Sequence, residues 1–307
     1  FTFLGYNYSM EIVRELREIP NLSLALGFFD GVHLGHQAVI NCAVDFAREN
    51  NCKSAVVTFK EHPYCYFKGV SPKYILTLED KYKYIEELGV DYLIELDFAK
   101  VCTMTPMQYL EEVLVKYFSP KAISTGFNHK FGVDKSGNVM FLSDCQEKFD
   151  YIYFATPPQS IYGDVISSTA IRQFIKSGSV FMADTMLGRK FAVSGTVIKG
   201  KELGATIGYP TANIIYPLDI VEPPHGVYEV EVNIGDTQTY KGLANFGVSP
   251  TVSNSGICTL ETYILNFKGN LYDSDIKVSF GRFIRPEIKF SNLDELKTQI
   301  DLDLQSL

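Results

Sequence analysis

The sequence predicts a parallel α/β domain over residues 1–186 and a small all-β barrel with a terminal helix over 187–307. Three observations predict it. Short apolar segments alternate with capped, amphipathic helical segments in the first half; strand patterns dominate from Phe191 onward, with strict two-residue alternation over 227–234; and 307 residues are too many for one typical domain yet enough for two cores.

In the first half, residues 23–27 read as a short buried strand. The helix after it spaces Val39, Ile40, Ala43, Val44 and Ala47 three or four apart, which gives one apolar face. A second buried strand follows at 54–59. Thr77 heads a helix with a box-like cap at Asp80, Gly89 ends it, and 92–96 is a third strand. Thr105, Pro106 and Gln108 make a stronger helix start, with Leu110, Val113, Leu114 and Tyr117 as its stripe, and 122–125 is a fourth strand. Such alternation makes a parallel sheet whose ligands sit at the carboxyl ends of the strands.

The second half begins where Leu187, Gly188 and Arg189 break the pattern, which places the boundary near 186. Tyr228, Val230, Val232 and Ile234 share one strand face while Glu229, Glu231 and Asn233 share the other. A turn at Gly235 and Asp236 leads into a hairpin partner at 239–246. With 191–198, 260–267 and 276–280, these strands suffice for a small closed barrel. A helix starting at Ser291 and Asn292 is expected to bury Leu293, Leu296 and Ile300.

Composition bounds the function. Hydrophobic content of 46% and charged content of 21% are those of an ordinary globular protein, and no apolar run reaches the ~20 residues of a membrane span. No secretory pattern opens the chain, so it reads as cytoplasmic, with no membrane partner. Residues before Met10 carry no clear signal, and Met10 is a candidate natural start. The net charge of −8 argues against nucleic acid as a partner but leaves room for a nucleotide. Cys42, Cys52, Cys65, Cys102, Cys145 and Cys258 lack CxxC spacing, so reduced and mostly buried thiols are expected rather than a zinc site or disulfides.

The first candidate site is the stretch from Gly27 to His36, a glycine-rich turn that runs into a helix. Free N–H groups at a helix start favour phosphate, and Gly27, Gly31 and Gly35 let a ligand approach the backbone. His33 and His36, three apart, are placed to donate to phosphoryl oxygens as charge builds. Zinc fits less well, because helical zinc pairs prefer a four-residue step and no third His or Cys lies nearby. The string GFFDGVHLGH resembles the HxGH signature of the nucleotidylyltransferases and, in its flanks, the bacterial bifunctional riboflavin kinase/FAD synthetase family. That resemblance implies a Rossmann-like first domain with ATP on Gly27, Phe28, Asp30, Gly31 and Gly35.

Further strings carry the same resemblance. Consecutive hydroxyls in Ile166-Ser-Ser-Thr-Ala-Ile-Arg172 can cap a helix or hold phosphate, and the string resembles the family's ISSTxxR motif. The resemblance gives Ser167, Ser168, Thr169 and Arg172 to the ATP phosphates, Arg172 with a catalytic role. Phe59, His62 and Pro63 match a TFxxHP stretch assigned to the flavin, although a buried strand end explains them equally. In the loop 126–132, Asn128, Phe131 and Gly132 match a flavin-site pattern, with His129 and Lys130 in place of the usual aromatic and variable residues.

The barrel half centres on Gly200 to Asn213. Gly200, Gly204 and Gly208 make a flexible, backbone-rich loop able to wrap phosphate, although the GK[ST] ending of a Walker loop is absent. If 210–213 is extended, Thr211 and Asn213 point the same way and offer two hard oxygens to Mg2+. The Pro210-Thr-Ala-Asn213 string resembles the PTAN motif of riboflavin kinases, which implies ATP on Gly200, Gly204, Thr206, Gly208 and Pro210, and Mg2+ on Thr211 and Asn213. Glu261, a strand carboxylate able to accept a hydroxyl proton, falls where the family places its catalytic Glu. Strings around His225, Asn245 with Pro250 and Thr251, and Arg285 extend the match. Leu203 and Ala205 depart from loop arginines, and Tyr263 from a histidine.

The expected protein therefore phosphorylates riboflavin to FMN and adenylylates FMN to FAD, as a monomer or weak oligomer whose partners are ATP, riboflavin, FMN and FAD. His33, His36, Arg172 and Glu261 carry the chemistry in this reading. Its rivals are a monofunctional FAD synthetase with a relic barrel, and a flavin-binding module without turnover.

Overall fold

The computed structural model describes residues 9–70, 72–200, 203–235, 238–248 and 257–307, apart from the side chains of Lys68 and Leu203. The chain divides into two compact units, 1–168 and 169–307.

Six parallel strands form the sheet of the first unit: β1 (Glu11–Val13), β2 (Leu22–Leu26), β3 (Lys53–Phe59), β4 (Tyr92–Leu96), β5 (Ala122–Gly126) and β6 (Ile152–Thr156), in the order β1-β4-β3-β2-β5-β6. All five residues of β2 are buried, as a central parallel strand covered on both faces requires. The chain runs outward from β2 through β3 to β4, then returns to lay β5 on the other side of β2. The switch point thus lies between β2 and β5, where open α/β sheets take their ligands. The helix Leu34–Glu49 buries the five residues that its spacing predicts.

Several expectations are refined. The sheet has six strands rather than four: β1 is three residues long and β6 is only partly buried, so neither carries a clear pattern. The helix headed by Thr105 does have its capping box, but residues Tyr109–Val115 are wound as a π-helix. Of the six thiols only Cys145 and Cys258 are buried; the other four lie at half-exposed positions.

Helix Ser168–Lys176, which starts on the last residue of the first unit, and helix Val180–Leu187 precede the barrel strands of the second, β7 (Ala192–Thr196), β8 (Thr211–Ile215), β9 (Gly226–Ile234), β10 (Gln238–Val248), β11 (Cys258–Ile264) and β12 (Asp275–Arg285). They pair antiparallel in the order β7-β12-β9-β10-β11-β8. A bridge between Ile198 and Asn213 draws the two edges together, so the barrel is nearly closed. Tyr216, Tyr228, Phe246 and Phe280 fill it. Val180, Ala183, Met186 and Leu187 are buried, and the Asp184 carboxylate accepts from the Phe191 N–H at 2.6 Å where the helix gives way to the barrel.

The terminal helix Leu293–Gln305 forms, but Leu293 is exposed and Leu296 and Ile300 are only partly covered. A polar anchor holds it instead. Asp303 takes the Arg285 guanidinium in a forked contact at 2.8–3.0 Å, with side-chain exposures of 4% and 15%. The turn residue Asp236, the positions Pro250 and Thr251, and the Leu203 side chain lie outside the described residues.

Candidate active sites

The loop from Gly27 to His33 leaves the carboxyl end of β2 at the switch point. It is held in an unusual backbone: Phe29, Gly31 and Val32 have φ of 58°, 85° and 39°. Gly31 needs that freedom, since a Cβ there would also meet the Ile75 side chain at 2.9 Å. Phe29 and Val32 bear the strain because both side chains are buried. Asp30 is buried too and accepts from the Ile75 N–H at 3.0 Å, so its carboxylate ties the loop to the segment before Thr77.

His33 caps the helix Leu34–Glu49, its Nδ1 accepting from the His36 N–H at 3.2 Å. The two imidazoles are stacked with centroids 3.5 Å apart, and Phe29 packs edge-on against His36 at 5.3 Å. Gly35 lies between them in the first turn. The spacing that predicts a neighbouring pair is therefore realised, and capping adds a structural duty to His33 that the sequence does not announce.

Phe28 leads to the flavin-side candidates. Its ring meets His62 edge-on at 4.8 Å, and its carbonyl accepts from the Thr58 hydroxyl at 3.1 Å. His62 caps a short helix, Pro63–Lys68, with Pro63 at its first position. Phe59 and His62 line a cleft of about 450 Å³ with Tyr66 and Phe98. Asn128 is exposed in the loop leaving β5, its Oδ1 folded toward Gly126.

Two further residues stand at this end, Lys81, which the sequence did not single out, and His129, which it marked only as a departure from the family's aromatic. Lys81 is only 4% exposed; its Nζ donates to Thr58 at 3.0 Å and sits 4.3 Å over the Phe28 ring. Burial pushes its pKa down to about 8, against the pull of Asp30 and Glu95. A lysine at a helical position reads as solvated unless its burial is known. His129 stacks on Phe131, and its Nε2 is buried with no hydrogen-bond partner among the described residues. Burial lowers its pKa to about 4.

The Ser168 hydroxyl donates to the Asp30 carbonyl at 2.8 Å, which joins the end of the first unit to the histidine loop. Ser167 precedes it. Thr169 and Arg172 follow on the helix Ser168–Lys176, and Gly178 ends that helix with φ of 80°.

In the barrel, β8 and β11 pair so that Thr211 faces Tyr263 and Asn213 faces Glu261. Thr211 and Asn213 share a face, as an extended segment requires, and the Asn213 amide lies 3.4 Å from the Thr211 hydroxyl. Asn245 of β10 stands opposite Glu261 on the other side and donates to Glu287 at 3.2 Å. Leu260, Thr262 and Ile264 point into the barrel, so Glu261 belongs to its outer face. Asn245 was quoted only within a matching string, and its place beside Glu261 comes from strand register.

The glycine-rich segment covers this face. Within it, Leu203–Thr206 forms one helical turn containing Gly204 and Thr206. Gly208 follows with φ of 93°, and Pro210 enters β8. Gly200 lies so near Asn213 that a Cβ would come within 2.5 Å of the amide nitrogen. Tyr263 packs edge-on against Tyr209, whose hydroxyl donates to Asp301 of the terminal helix.

A histidine-bearing loop at the switch point of a parallel sheet marks a nucleotide-binding α/β unit, here joined to an antiparallel barrel with its own polar cluster. A family model described as FAD synthetase matches residues 16–170, and one described as riboflavin kinase matches 187–307. The bifunctional riboflavin kinase/FMN adenylyltransferase of Haemophilus influenzae is 35% identical over 303 residues, 97% of this chain and 98% of the relative. That of Escherichia coli K12 is 36% identical over 300 residues, 94% and 95% of the two chains. The chain belongs to the bifunctional riboflavin kinase/FMN adenylyltransferase family. A crystal structure from Streptococcus pneumoniae described as a macrolide-efflux protein superposes with a TM-score of 0.85 at 30% identity, covering 96% of this chain and 98% of that one. Among the described residues, no helix is long and apolar enough to cross a membrane.

Proposed function

We infer that the chain makes flavin cofactors at two sites, phosphorylating riboflavin to FMN with ATP and adenylylating FMN to FAD with release of pyrophosphate. The observation that carries this reading is the presence of two separate polar clusters in one chain, the stacked His33–His36 pair at a helix start and the Asn213–Glu261 pair on a barrel face. The functional division is proposed at 186, with the adenylyltransferase before it and the kinase after it.

In the barrel, Glu261 is the base that accepts the proton of the ribityl hydroxyl as it attacks the γ-phosphoryl group. Gly200, Gly204, Thr206, Gly208 and Pro210 form the cover over the nucleotide. The reaction calls for a divalent cation, and the hard oxygens of Thr211 and Asn213, held on one face under Gly200, fit Mg2+. Such an ion supplies charge neutralisation at the phosphates. These residues orient the nucleotide so that the hydroxyl and the γ-phosphorus meet in line.

In the adenylyltransferase, the attacking FMN phosphate is already anionic and needs no strong base. Catalysis is positioning and charge stabilisation. His33 and His36 donate to the α-phosphoryl oxygens, and Gly27, Phe28, Asp30, Gly31 and Gly35 form the ATP loop. Ser167, Ser168, Thr169 and Arg172 hold the remaining phosphates. Phe59, His62, Pro63 and Asn128 receive the flavin, with Phe and Tyr rings supplying the stacking surface in a chain that has no Trp. The protein works in the cytoplasm as a monomer or weak oligomer.

The test is to incubate the purified chain with ATP and Mg2+, with riboflavin or with FMN, and separate the flavins over time. FMN and then FAD from riboflavin is the expected result. FAD from supplied FMN alone would leave the barrel silent, and no product from either would overturn the reading.

A further inference from the structure

Three metal-ligating side chains of the barrel meet away from the face that carries Glu261. The ligand atoms of Glu222, His225 and Cys258 all lie within 4.8 Å of one another, and His225 Nε2 stands 3.7 Å from the Cys258 sulfur. A tetrahedral zinc ion holds sulfur at about 2.3 Å and nitrogen at about 2.0–2.1 Å, which sets those two atoms about 3.6 Å apart. The observed separation, which a hydrogen bond between the two groups also spans, is within about 0.1 Å of that edge.

The backbone that carries these groups is pinned from several sides. The Tyr216 hydroxyl donates to the Val221 carbonyl at 2.6 Å, and the Tyr228 hydroxyl donates to the Pro224 carbonyl at 2.6 Å, so the segment with Glu222 and His225 is fixed at both ends. Pro223 and Pro224 restrict the chain between the two ligands. Opposite them, the Cys258 carbonyl accepts from the Tyr216 N–H at 2.9 Å, and Cys258 pairs with Val248 in the ladder. Phe246 packs edge-on against the His225 ring at 5.1 Å and limits its rotation. Cys258 is buried, Glu222 half-buried and His225 exposed, which leaves a route in from solvent and a fourth position open to water.

We propose that Glu222, His225 and Cys258 form a site for a borderline-soft divalent cation of the zinc class, distinct from the Mg2+ position proposed at Thr211 and Asn213. The thiolate and imidazole select such an ion over Mg2+, which takes oxygen ligands. On binding, the Cys258 thiol releases its proton to solvent, the sulfur, Nε2 and one carboxylate oxygen bond to the ion, and a water completes the tetrahedron. The bound ion ties the 222–225 segment to β11. Because side chains alternate, Cys258 and Glu261 lie on opposite faces of that strand, and the ion stiffens the strand of the catalytic carboxylate without touching it.

The probe is Co2+ titrated into the full chain without ATP or Mg2+, followed by Zn2+ displacement. The expected result is one Co2+ per chain with a near-ultraviolet thiolate-to-cobalt charge-transfer band that Zn2+ bleaches. Cys258→Ser should lose the band, and His225→Gln and Glu222→Gln should each weaken Co2+ at least tenfold. The last two change side chains outside the core, so they keep the test decisive should the buried Cys258→Ser fail to fold. No thiolate band, or a band and affinity unchanged in His225→Gln, would overturn the site.

Discussion

Asn213 and Glu261 stand directly opposite one another on adjacent antiparallel strands, with Thr211 one step along the same face. Facing residues in such a ladder hold their Cβ atoms about 4.5–5.5 Å apart, so a nucleotide held by the amide comes within reach of the carboxylate. Asn213→Ala should therefore lower FMN formation about 100-fold or more and raise the Mg2+ concentration needed for half-maximal rate. FAD formation from supplied FMN should stay within twofold, which a parallel assay of the two reactions checks.

His33 has two duties that substitution can separate. As the cap of the Leu34–Glu49 helix it accepts from the His36 N–H, so His33→Ala should cost about 1 kcal/mol of stability as well as FAD synthesis. His33→Asn restores a capping oxygen without an imidazole. It should recover most of the stability, read by thermal unfolding, while FAD formation stays depressed.

His129 should make stability depend on acid. Its folded pKa of about 4 lies below the ordinary histidine value, so between about pH 6.5 and 4 the unfolded chain binds more protons than the folded one. Stability from this group is fully present above about pH 6.5 and falls as the pH drops through that window. His129→Phe, which places the family's usual aromatic there, should remove this part of the fall. Urea unfolding at pH 7 and pH 5 measures it: the variant's loss between the two should be smaller than the parent's.

The terminal helix offers a third stability test. Its apolar positions are only partly covered, while Asp303 holds Arg285 in a nearly buried fork. Asp303→Ala leaves that guanidinium uncompensated and should cost about 3 kcal/mol. Limited proteolysis should then cut first within residues 293–305.

Much of this arrangement was legible where local chemistry and tertiary role coincide. The apolar stripe of residues 39–47, the Thr105 capping box and the shared face of Thr211 and Asn213 follow from helical or strand periodicity alone. What stayed hidden depends on partners distant in sequence. Lys81 looks like a solvated helical lysine until Thr58 and Phe28 close over it, and Asn245 reaches Glu261 only through the register of β10 on β11. The strand Glu11–Val13 is too short to show a period, and the terminal helix misleads because it is tied by polar contacts, Asp303 to Arg285 and Asp301 to Tyr209, rather than by its leucines.

The most direct test of two independent sites is a crossed assay of Glu261→Gln and His36→Ala, each with ATP and Mg2+ and with either riboflavin or FMN. Glu261→Gln should lose FMN formation by at least about 100-fold and still convert supplied FMN to FAD, whereas His36→Ala should accumulate FMN from riboflavin and fail to make FAD. Loss of both activities in either folded variant, or FAD formation by His36→Ala at the parent rate, would contradict the account.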